Sequence, residues 1–476
     1  MAKRTHRNPD HVQKHNRPSP DNEEIANQLS ALLTPAIFAQ EAYYRQLGLR
    51  DRLLNLALMV AVVLTLLWRQ VPGVQELNRL LAREDLLWCR ATKVSQQALS
   101  QRFLAFPSKL FERVFKEILP QLQLRWQQRV KRPLPVSINY ALKHFDQIWA
   151  VDGETSAAGG FPSVGNWRTR RAQLKTALFR KLKSLEDVPR GQLAGKICTV
   201  IDITTRLPIE VWFHSNPKAS ETSFESDLLA LLTTKTLLLL DRGFYHFQFF
   251  ATLISQQVDF ITRLKAGAAI KVVQVFTSQP DVRDQLIKLG TGRNGTPILT
   301  LRRVEIRFGK TWYSYITSVL DPVVLPPYVV ADLYRRRWRI EEAFNTVKRL
   351  LGLSYLWTGS INGVKLQVWA TWLFYAVLVD LGDAVAEELA LPFERISLEM
   401  VYRGLYHFSV AFDKGKATDP VSYFAAPENQ DLDVVKTLRK PIEKLDLSPF
   451  PVPQLTSAQF SSVSRMNSEL LSNITY

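Results

Sequence analysis

The sequence has 476 residues, of which 46% are hydrophobic, so it is long enough for more than one domain and too apolar for a disordered chain. Its 61 basic and 44 acidic residues give a net charge of +17, which favours a polyanionic partner, either nucleic acid or an anionic membrane surface. Its two cysteines, Cys89 and Cys198, are too few to predict a disulfide scaffold or a cysteine-rich zinc site, and they fit a reducing compartment.

The N-terminal segment is basic and polar. Residues 1–20 carry five Lys or Arg side chains against one acid, Asp10, which predicts a flexible basic arm over residues 1–30. The segment has no apolar run of the kind found in a signal peptide, so no targeting segment is predicted. A mostly helical region follows over residues 31–132, with helices predicted at 37–47, 53–68 and 74–81.

One helix of this region has the composition of a DNA-reading helix. Residues 94–103 read VSQQALSQRF, with Ser95 in the N-cap position and polar side chains around Ala98 and Leu99. This pattern resembles the second helix of a helix-turn-helix, which contacts base edges in the major groove, and it makes Arg102 a candidate DNA-binding residue. An ordinary amphipathic helix gives the same pattern.

Two apolar runs are candidates for membrane spans. Residues 53–68 include Asn55, and residues 368–379 are followed by Asp380. Both runs are shorter than the ~20 residues that a helix needs to cross a bilayer, so both are predicted to be buried helices. A membrane-associated protein is the competing interpretation of residues 53–68.

Two apolar strands are predicted to end at an aspartate. Residues 148–151 form a short apolar run directly before Asp152, and residues 237–240 are four leucines directly before Asp241. Such continuous apolar runs are typical of central strands that are covered on both faces. Ligands bind at the carboxyl ends of these strands in open α/β sheets, so both aspartates are candidate site residues. A carboxylate that caps the following turn is the simpler alternative.

The stretch from residue 258 to 322 has a β-rich pattern. Strands are predicted at 260–263 and 270–276, followed by a hairpin of residues 299–308 and 312–319. The hairpin is basic and aromatic, a composition that grips a nucleic-acid backbone and stacks on exposed bases. Cross-strand packing of the aromatic rings is the ordinary alternative.

Residues 334–348 read YRRRWRIEEAFNTVK and predict a helix. Steps of three, four and seven residues place one polar group after another on the same helical face: Tyr334, Arg337, Glu341 and Lys348. The neighbouring face is apolar and is predicted to pack against the core: Ile340, Phe344, Val347 and Leu351. A solvated basic surface helix is the alternative interpretation.

Asp152, Asp241 and Glu341 are thus three carboxylates on different elements. Hard divalent cations take oxygen ligands, and two such ions bridged by carboxylates suit in-line phosphoryl transfer. Arg337 and Lys348 share the face of Glu341 and can neutralise phosphate charge. The constellation therefore points to metal-dependent chemistry on a phosphodiester.

These residues resemble the DDE transposases of bacterial insertion sequences, specifically the insertion-sequence-4 group. The group's signature, Y-x2-R-x3-E-x6-K, is matched without a change of spacing by residues 334–348. Its second-aspartate motif, DRG[FY], is matched by residues 241–244. Its first-aspartate motif, commonly DGST or DTT, is represented by residues 152–155, where Glu154 replaces a small residue. The resemblance spans residues 33–381.

The resemblance implies an α/β fold with an RNase H-like catalytic core, a β-rich insertion and a helical N-terminal DNA-binding region. The implied division places the core at residues 133–257 and 323–385, the insertion at 258–322, and a C-terminal helical region with a polar tail at 386–476.

The resemblance also implies the roles of the site residues. Three residues would be catalytic and hold two Mg²⁺ ions, for which Mn²⁺ substitutes: Asp152, Asp241 and Glu341. Five residues would bind DNA, with the first named stacking on a flipped base: Trp312, Tyr334, Arg337, Lys348 and Arg242. Arg102 remains a DNA-binding candidate from its helix pattern alone. The implied partners are double-stranded DNA, as inverted-repeat ends and as target, and further copies of the chain in a homodimer or larger synaptic assembly. The implied location is the bacterial cytoplasm, with the nucleoid and not a membrane.

The implied reaction is hydrolysis at the ends of the element by a metal-bound water, followed by attack of the freed 3′-hydroxyl on target DNA. Both steps are in-line phosphoryl transfers at one site. Two competing hypotheses are a catalytically inactive DNA-binding regulator and a related metal nuclease that does not join strands.

Overall fold

The computed structural model describes residues 23–49, 52–71, 73–156, 195–214, 216, 219–353 and 360–435. Over these residues the protein is a mixed α/β fold built on one nine-stranded sheet. Two predicted segments lie outside the described residues, wholly or for the most part: the basic arm at 1–30 and the polar tail after 435. The basic side chains of residues 168–183 also fall in a range that is not described.

The described residues before the first strand are helical. They form α1 (Glu23–Phe38), α2 (Glu41–Gln46), α3 (Leu56–Trp68), α4 (Val74–Leu81), α5 (Gln96–Ala105), α6 (Ser108–Gln128) and α7 (Val136–Ala141). The predicted N-cap at Ser95 is confirmed, because its side chain accepts a hydrogen bond from the Ala98 amide. Asn55, which was not predicted as a cap, accepts one from the Leu58 amide, so α3 begins at Leu56 and not at residue 53. The prediction of one helix over 37–47 is wrong. The buried Gln40 side chain donates to the Ala36 carbonyl and thereby closes α1 before α2 begins.

Two apolar helices are buried in the protein. Twelve of the residues of α3 are buried, as predicted for residues 53–68. Residues 368–379 belong to a longer helix than the apolar run indicates, α12 (Ile361–Glu388). By length and composition α12 is able to cross a membrane, but 83% of its most apolar window is buried inside the protein, as in a core helix.

The nine strands form a single mixed sheet. They are β1 (Gln147–Ser156), β2 (Gly195–Asp202), β3 (Pro208–His214), β4 (Thr236–Leu240), β5 (Asp259–Arg263), β6 (Ile270–Ser278), β7 (Val282–Leu289), β8 (Leu299–Phe308) and β9 (Thr311–Thr317). Their spatial order is β3-β2-β1-β4-β5-β9-β8-β7-β6. The pairs β1–β4 and β4–β5 are parallel, and the other pairs are antiparallel. The β-rich stretch is therefore continuous with the rest of the sheet through β5 and β9.

The central strands are covered on both faces, as their apolar runs predict. Leu237 and Leu239 of β4 pack into one buried cluster, and Leu238 and Leu240 pack into a second cluster on the other face. The first cluster includes the N-terminal helices and α12, and the second includes α8 (Glu225–Leu231) and α9 (Phe247–Ser255). This burial on both faces fixes the position of β4, and with it the position of Asp241, the residue that follows the strand.

Strand β1 does not end where its apolar run ends. Its parallel ladder with β4 stops at Val151, opposite Leu240, but its antiparallel ladder with β2 continues through Asp152 and Gly153. Asp152 is therefore inside the strand, contrary to the prediction that it ends the strand. It still lies one residue beyond the parallel ladder.

The remaining helices follow the sheet. They are α10 (Pro327–Arg336), α11 (Trp338–Asn345), α12, α13 (Leu398–Asp413) and α14 (Pro420–Ala425). The single helix predicted over 334–348 is wrong in one respect, because it is interrupted at Arg337, between α10 and α11, and ends in a π-helical turn, Thr346–Leu350. The predicted core-facing stripe is confirmed, since all its members are buried: Ile340, Phe344, Val347 and Leu351.

Candidate active site

The carboxyl ends of three parallel strands meet at one edge of the sheet. Val151 of β1 pairs with Leu240 of β4, and Leu240 pairs with Thr262 of β5. The next residues along these strands are Asp152, Asp241 and Arg263. The parallel register therefore aligns two acids and one base on neighbouring strands.

Arg337 joins the three predicted carboxylates. Its Nη1 lies 3.1 Å from Asp152 Oδ2, and its Nη2 lies 3.4 Å from Asp241 Oδ1. The same Nη2 donates to Glu341 Oε1 at 2.9 Å, one helical turn further along the chain. The Arg337 guanidinium thus forms ion pairs with acids of three elements: β1, the end of β4 and α11.

The break between α10 and α11 positions this guanidinium. Arg337 keeps helical backbone angles, with φ −50° and ψ −31°, so Glu341 still lies one turn away from it. The Arg337 side chain is buried, and its Nε has no hydrogen-bond partner. A buried charged donor without a partner is costly, so the contacts of its two terminal nitrogens hold it in place.

The carboxylates are more accessible than the guanidinium. The side chains of Asp241 and Glu341 are 38% and 34% exposed, whereas that of Arg337 is 6% exposed. The acids therefore line a surface that a ligand can reach from solvent, with the arginine beneath them.

Burial and charge oppose each other at Asp152. Burial raises the pKa of its carboxyl to about 7, Arg337 opposes the rise, and the negative charges of Asp241 and Glu341 add to it. For Arg337, burial lowers the pKa, but the surrounding carboxylates outweigh burial and the net pKa is raised. The site therefore favours an added positive charge, because further positive charge would relieve the repulsion between its acids.

The donor chemistry of this cluster fits a hard divalent cation, because Arg337 forms ion pairs with three carboxylates, those of Asp152, Asp241 and Glu341. The arrangement is not a preassembled metal cage. Among the described residues, no group of three or more His, Cys, Asp or Glu side chains has the spacing to hold a metal ion. Arg337 lies between the three acids and binds the oxygens that would be ligands.

The other residues predicted for the helical signature differ in their surroundings. Tyr334 is buried, and its ring packs 5.3 Å from that of Tyr315, so it is not part of an exposed polar face. Burial raises the pKa of its hydroxyl. Lys348 lies in the π-helical turn, with its ammonium 5.8 Å from the Phe344 ring. Tyr334 therefore lies beneath the site, packed against Tyr315, and not on its surface.

The remaining predicted DNA-binding residues are spread over the protein. Arg242 is exposed directly beside Asp241. Trp312 is half-buried on β9, with its ring 4.5 Å from the Arg283 guanidinium. Arg102 bonds to the Tyr44 hydroxyl and, at 2.8 Å, to the Leu54 carbonyl, contacts that hold helices together. Of these residues, only Arg242 adjoins the carboxylate cluster in sequence.

The structure adds residues that the sequence pattern did not single out. Arg263 follows the apolar run of β5, as Asp241 follows that of β4, and its guanidinium lies 5.2 Å from the Tyr313 ring. Lys265, two residues later, is exposed, with its ammonium 4.8 Å from the Tyr245 ring. Both extend the aligned edge with positive charge. The strand-end rule that singled out the aspartates also applies to Arg263.

A family of known proteins matches the part of the chain that forms this edge of the sheet. Residues 146–377 match the family described as Transposase DDE domain. The matched residues include all four members of the Arg337 cluster. The chain is also 28% identical over 145 residues to a Sinorhizobium fredii (strain NBRC 101917 / NGR234) protein called "Putative transposase y4zB". That similarity covers 29% of this chain and 40% of the relative's length.

Proposed function

We propose that the protein is a DNA transposase that binds the ends of its insertion sequence, cleaves them and joins their 3′-hydroxyl ends to target DNA. The observation that carries the proposal is the convergence of Asp152, Asp241 and Glu341 on Arg337. These carboxylates come from three elements and lie within the stretch that matches the transposase DDE domain.

A divalent metal, the usual requirement of this domain, would be held by Asp152, Asp241 and Glu341. We propose Mg²⁺, with Mn²⁺ as a substitute and two ions in each site. When bound, such ions activate a water nucleophile and stabilise the leaving oxygen of a phosphodiester. The exposed sides of Asp241 and Glu341 leave room for the cation and the scissile phosphate to approach from solvent.

The basic residues of the edge would hold the DNA backbone. Arg242 and Lys265 are exposed on either side of the strand ends, and Lys348 lies one turn beyond the helix that carries Glu341. Arginine binds phosphate through paired hydrogen bonds, which suits the positioning of a strand before in-line attack. The net charge of +17 supports attraction of DNA over the wider surface.

The larger organisation is also part of the proposal. Three antiparallel strands, β3, β2 and β1, followed by β4 and β5 parallel to β1, support an RNase H-like core. The helices before β1 would bind the ends of the element, and β6 to β9 would form the insertion, with Trp312 as the base-stacking residue. Two or more copies would hold two DNA ends together in the bacterial cytoplasm.

A cleavage assay tests the proposal. Labelled DNA carrying the inverted repeats that flank the gene would be incubated with protein and Mg²⁺ or Mn²⁺. Wild type would be compared with Asp241→Asn, and with Glu399→Gln as a matched control in an exposed ion pair on α13. We expect wild type and the control to cut at the repeat ends and to join the 3′ ends to target DNA, and Asp241→Asn to do neither.

The assay also separates the competing functions. If all three proteins bind the ends and none cuts, the chain is a DNA-binding regulator. If wild type cuts but never joins a 3′ end to target DNA, it is a nuclease without strand transfer. Cleavage that persists in Asp241→Asn would remove this residue from the site.

A further inference from the structure

Glu221 is a fourth carboxylate at the same edge of the sheet. It begins a short 3₁₀ turn, Glu221–Phe224, that contacts the turn after Asp241. Its Oε1 lies 2.5 Å from Lys196 Nζ, and the Lys196 side chain is only 8% exposed. A buried ammonium and its carboxylate partner are expensive to separate, so the two side chains hold each other in place.

The Glu221 side chain occupies the space beside both glycines that follow the aspartates. A β-carbon added to Gly243 would lie 2.7 Å from Glu221 Cδ and 2.9 Å from its Oε2. A β-carbon added to Gly153 would lie 3.1 Å from Glu221 Cγ and 3.0 Å from Lys196 Cε. The Glu221–Lys196 ion pair therefore packs between the Asp152–Gly153 and Asp241–Gly243 segments.

Backbone conformation does not explain these glycines. Neither Gly153 nor Gly243 has a φ angle in the left-handed region, where glycine is favoured. The backbone at both positions is accessible to any residue, so the requirement for glycine comes from the neighbouring side chain. The Asp-Gly and Asp-Arg-Gly patterns in the sequence make room for Glu221.

Glu221 and Lys196, the two members of this ion pair, are each fixed by the element that carries them. Phe224, in the same turn as Glu221, is buried in the second core cluster, with its ring 6.4 Å from that of Trp212. Lys196 is part of β2, where it pairs with Thr155 of β1. Burial is the main cause of the raised pKa of the Cys198 thiol, and the charges of Asp152 and Glu221 both add to it, which agrees with their closeness.

We infer that Glu221, held by Lys196, is a positioning residue that sets the separation of Asp152 and Asp241 for cation binding. The inference rests on the proposed function, because that separation matters when both carboxylates bind the same metal centre. Outer-shell residues that orient ligands typically change metal affinity or activity by about 10–100-fold when mutated. The Glu221–Lys196 ion pair would set the separation of the two aspartates through its contacts with Gly153 and Gly243. It does not contact the reacting atoms.

The test uses the full chain, with Mn²⁺ as the probe, and compares Gly243→Ala, Glu221→Ala and the double variant. Mn²⁺ affinity would be measured by electron paramagnetic resonance and the melting temperature by calorimetry. We expect each single variant to weaken Mn²⁺ binding about tenfold or more. We expect the double variant to match Glu221→Ala, because alanine at 243 meets no obstacle once Glu221 is shortened.

Two further variants keep the result interpretable. Glu221→Gln preserves the shape of the side chain and an acceptor for Lys196, so it should retain more Mn²⁺ affinity than Glu221→Ala. Gly73→Ala is the matched glycine control, because Gly73 has an extended φ of 164° and open space around its α-carbon. It should leave Mn²⁺ affinity unchanged, and it should lower the melting temperature only slightly, because alanine is a poorer N-cap than glycine for α4.

The outcomes distinguish the inference from the proposed function. If wild type binds Mn²⁺ and cuts DNA, but Gly243→Ala and Glu221→Ala do so equally well, the inference is overturned and the function stands. Independent effects that multiply in the double variant would also overturn it. If wild type neither binds Mn²⁺ nor cuts, the proposed function fails and the inference falls with it.

Discussion

Two arginine–carboxylate clusters in this protein use the same side chains in different ways. At the candidate site, Arg337 contacts Asp152, Asp241 and Glu341. At the packing of α6 against α12, a second cluster pairs arginines of one segment with acids of the other: Arg125, Arg129 and Arg132 with Asp380, Asp383 and Glu387. We call the first the site cluster and the second the packing cluster.

The site cluster and the packing cluster differ in solvent exposure and in the balance of acids and arginines. In the packing cluster each acid faces an arginine, and the Asp383 and Arg132 side chains are 2% and 3% exposed. In the site cluster three acids share Arg337, and two of them are about one-third exposed. The packing cluster is thus paired within the protein, whereas the acids of the site cluster repel one another, and two of them, Asp241 and Glu341, face solvent. This difference marks the site cluster as the one that can take an added cation.

The largest expected effect concerns activity. Asp241→Asn should lower DNA cleavage by about 10³-fold or more, because it removes a carboxylate proposed to hold the divalent cation that stabilises the negative charge of the transition state. Asp380→Asn in the packing cluster should change cleavage less than about threefold. Rates would be measured under single-turnover conditions on labelled ends. Equal losses of cleavage rate in the two variants would show that the two clusters do not differ in their role in cleavage.

For the free energy of unfolding, the packing cluster should matter more than an exposed ion pair. Arg132→Met should destabilise the protein by about 3–5 kcal/mol, because it leaves the buried Asp383 without one of its cations. Denaturant unfolding with circular dichroism gives the free energy of unfolding. Arg403→Met, in an exposed pair with Glu399, is the control and should cost about 0–1 kcal/mol. A cost for Arg132→Met no larger than the control would contradict the assignment.

The third prediction uses the pKa of Asp152 in metal-free buffer. Because its pKa in the folded protein, about 7, lies above the usual aspartate pKa of 3.8, the stability from its protonated form is present below pH 3.8 and is lost as pH rises through 7. Asp152→Asn should therefore be more stable than wild type at pH 8, by up to about 2 kcal/mol, and no more stable at pH 4. Thermal unfolding across this pH range, with a chelator present, measures the difference. A gap that does not change with pH would show that Asp152 does not titrate in this range.

The smallest expected effect concerns DNA binding. Arg242→Gln removes an exposed charge beside Asp241 and should weaken end binding several-fold, with the slope of log affinity against log salt reduced by about one. Binding would be measured by fluorescence anisotropy at a series of salt concentrations. Lys131→Gln, next to the packing cluster, is the comparison variant and should leave the slope unchanged. An unaltered slope in Arg242→Gln would exclude this arginine from contact with phosphate.

The acids of the site cluster could be predicted from sequence because each belongs to a local pattern. Asp241 follows four leucines, and Glu341 lies one helical turn after Arg337. The junction at Arg337 could not be predicted, because the sequence there continues a helical pattern without Gly or Pro. The inward position of Tyr334 could not be predicted either, because it depends on a contact with Tyr315 of β9, which is distant in the sequence.

Contacts between distant segments were also beyond sequence patterns. Lys196 and Glu221 meet because two glycines elsewhere leave room for them, and neither residue belongs to a local motif. Strand β7 was missed because Arg283 and Asp284 interrupt its apolar alternation. In the fold, Asp284 is buried and paired with Arg302 of β8 at 2.7 Å, a partner that lies 18 residues away.

The most direct test of the central claim is Mn²⁺ binding to the full chain, measured by electron paramagnetic resonance. The account predicts saturable binding by wild type, loss of that binding in Asp241→Asn and its retention in Asp380→Asn. If wild type binds no Mn²⁺ at a saturable site, or if Asp241→Asn binds it as tightly as wild type, the site cluster is not the metal centre of this protein.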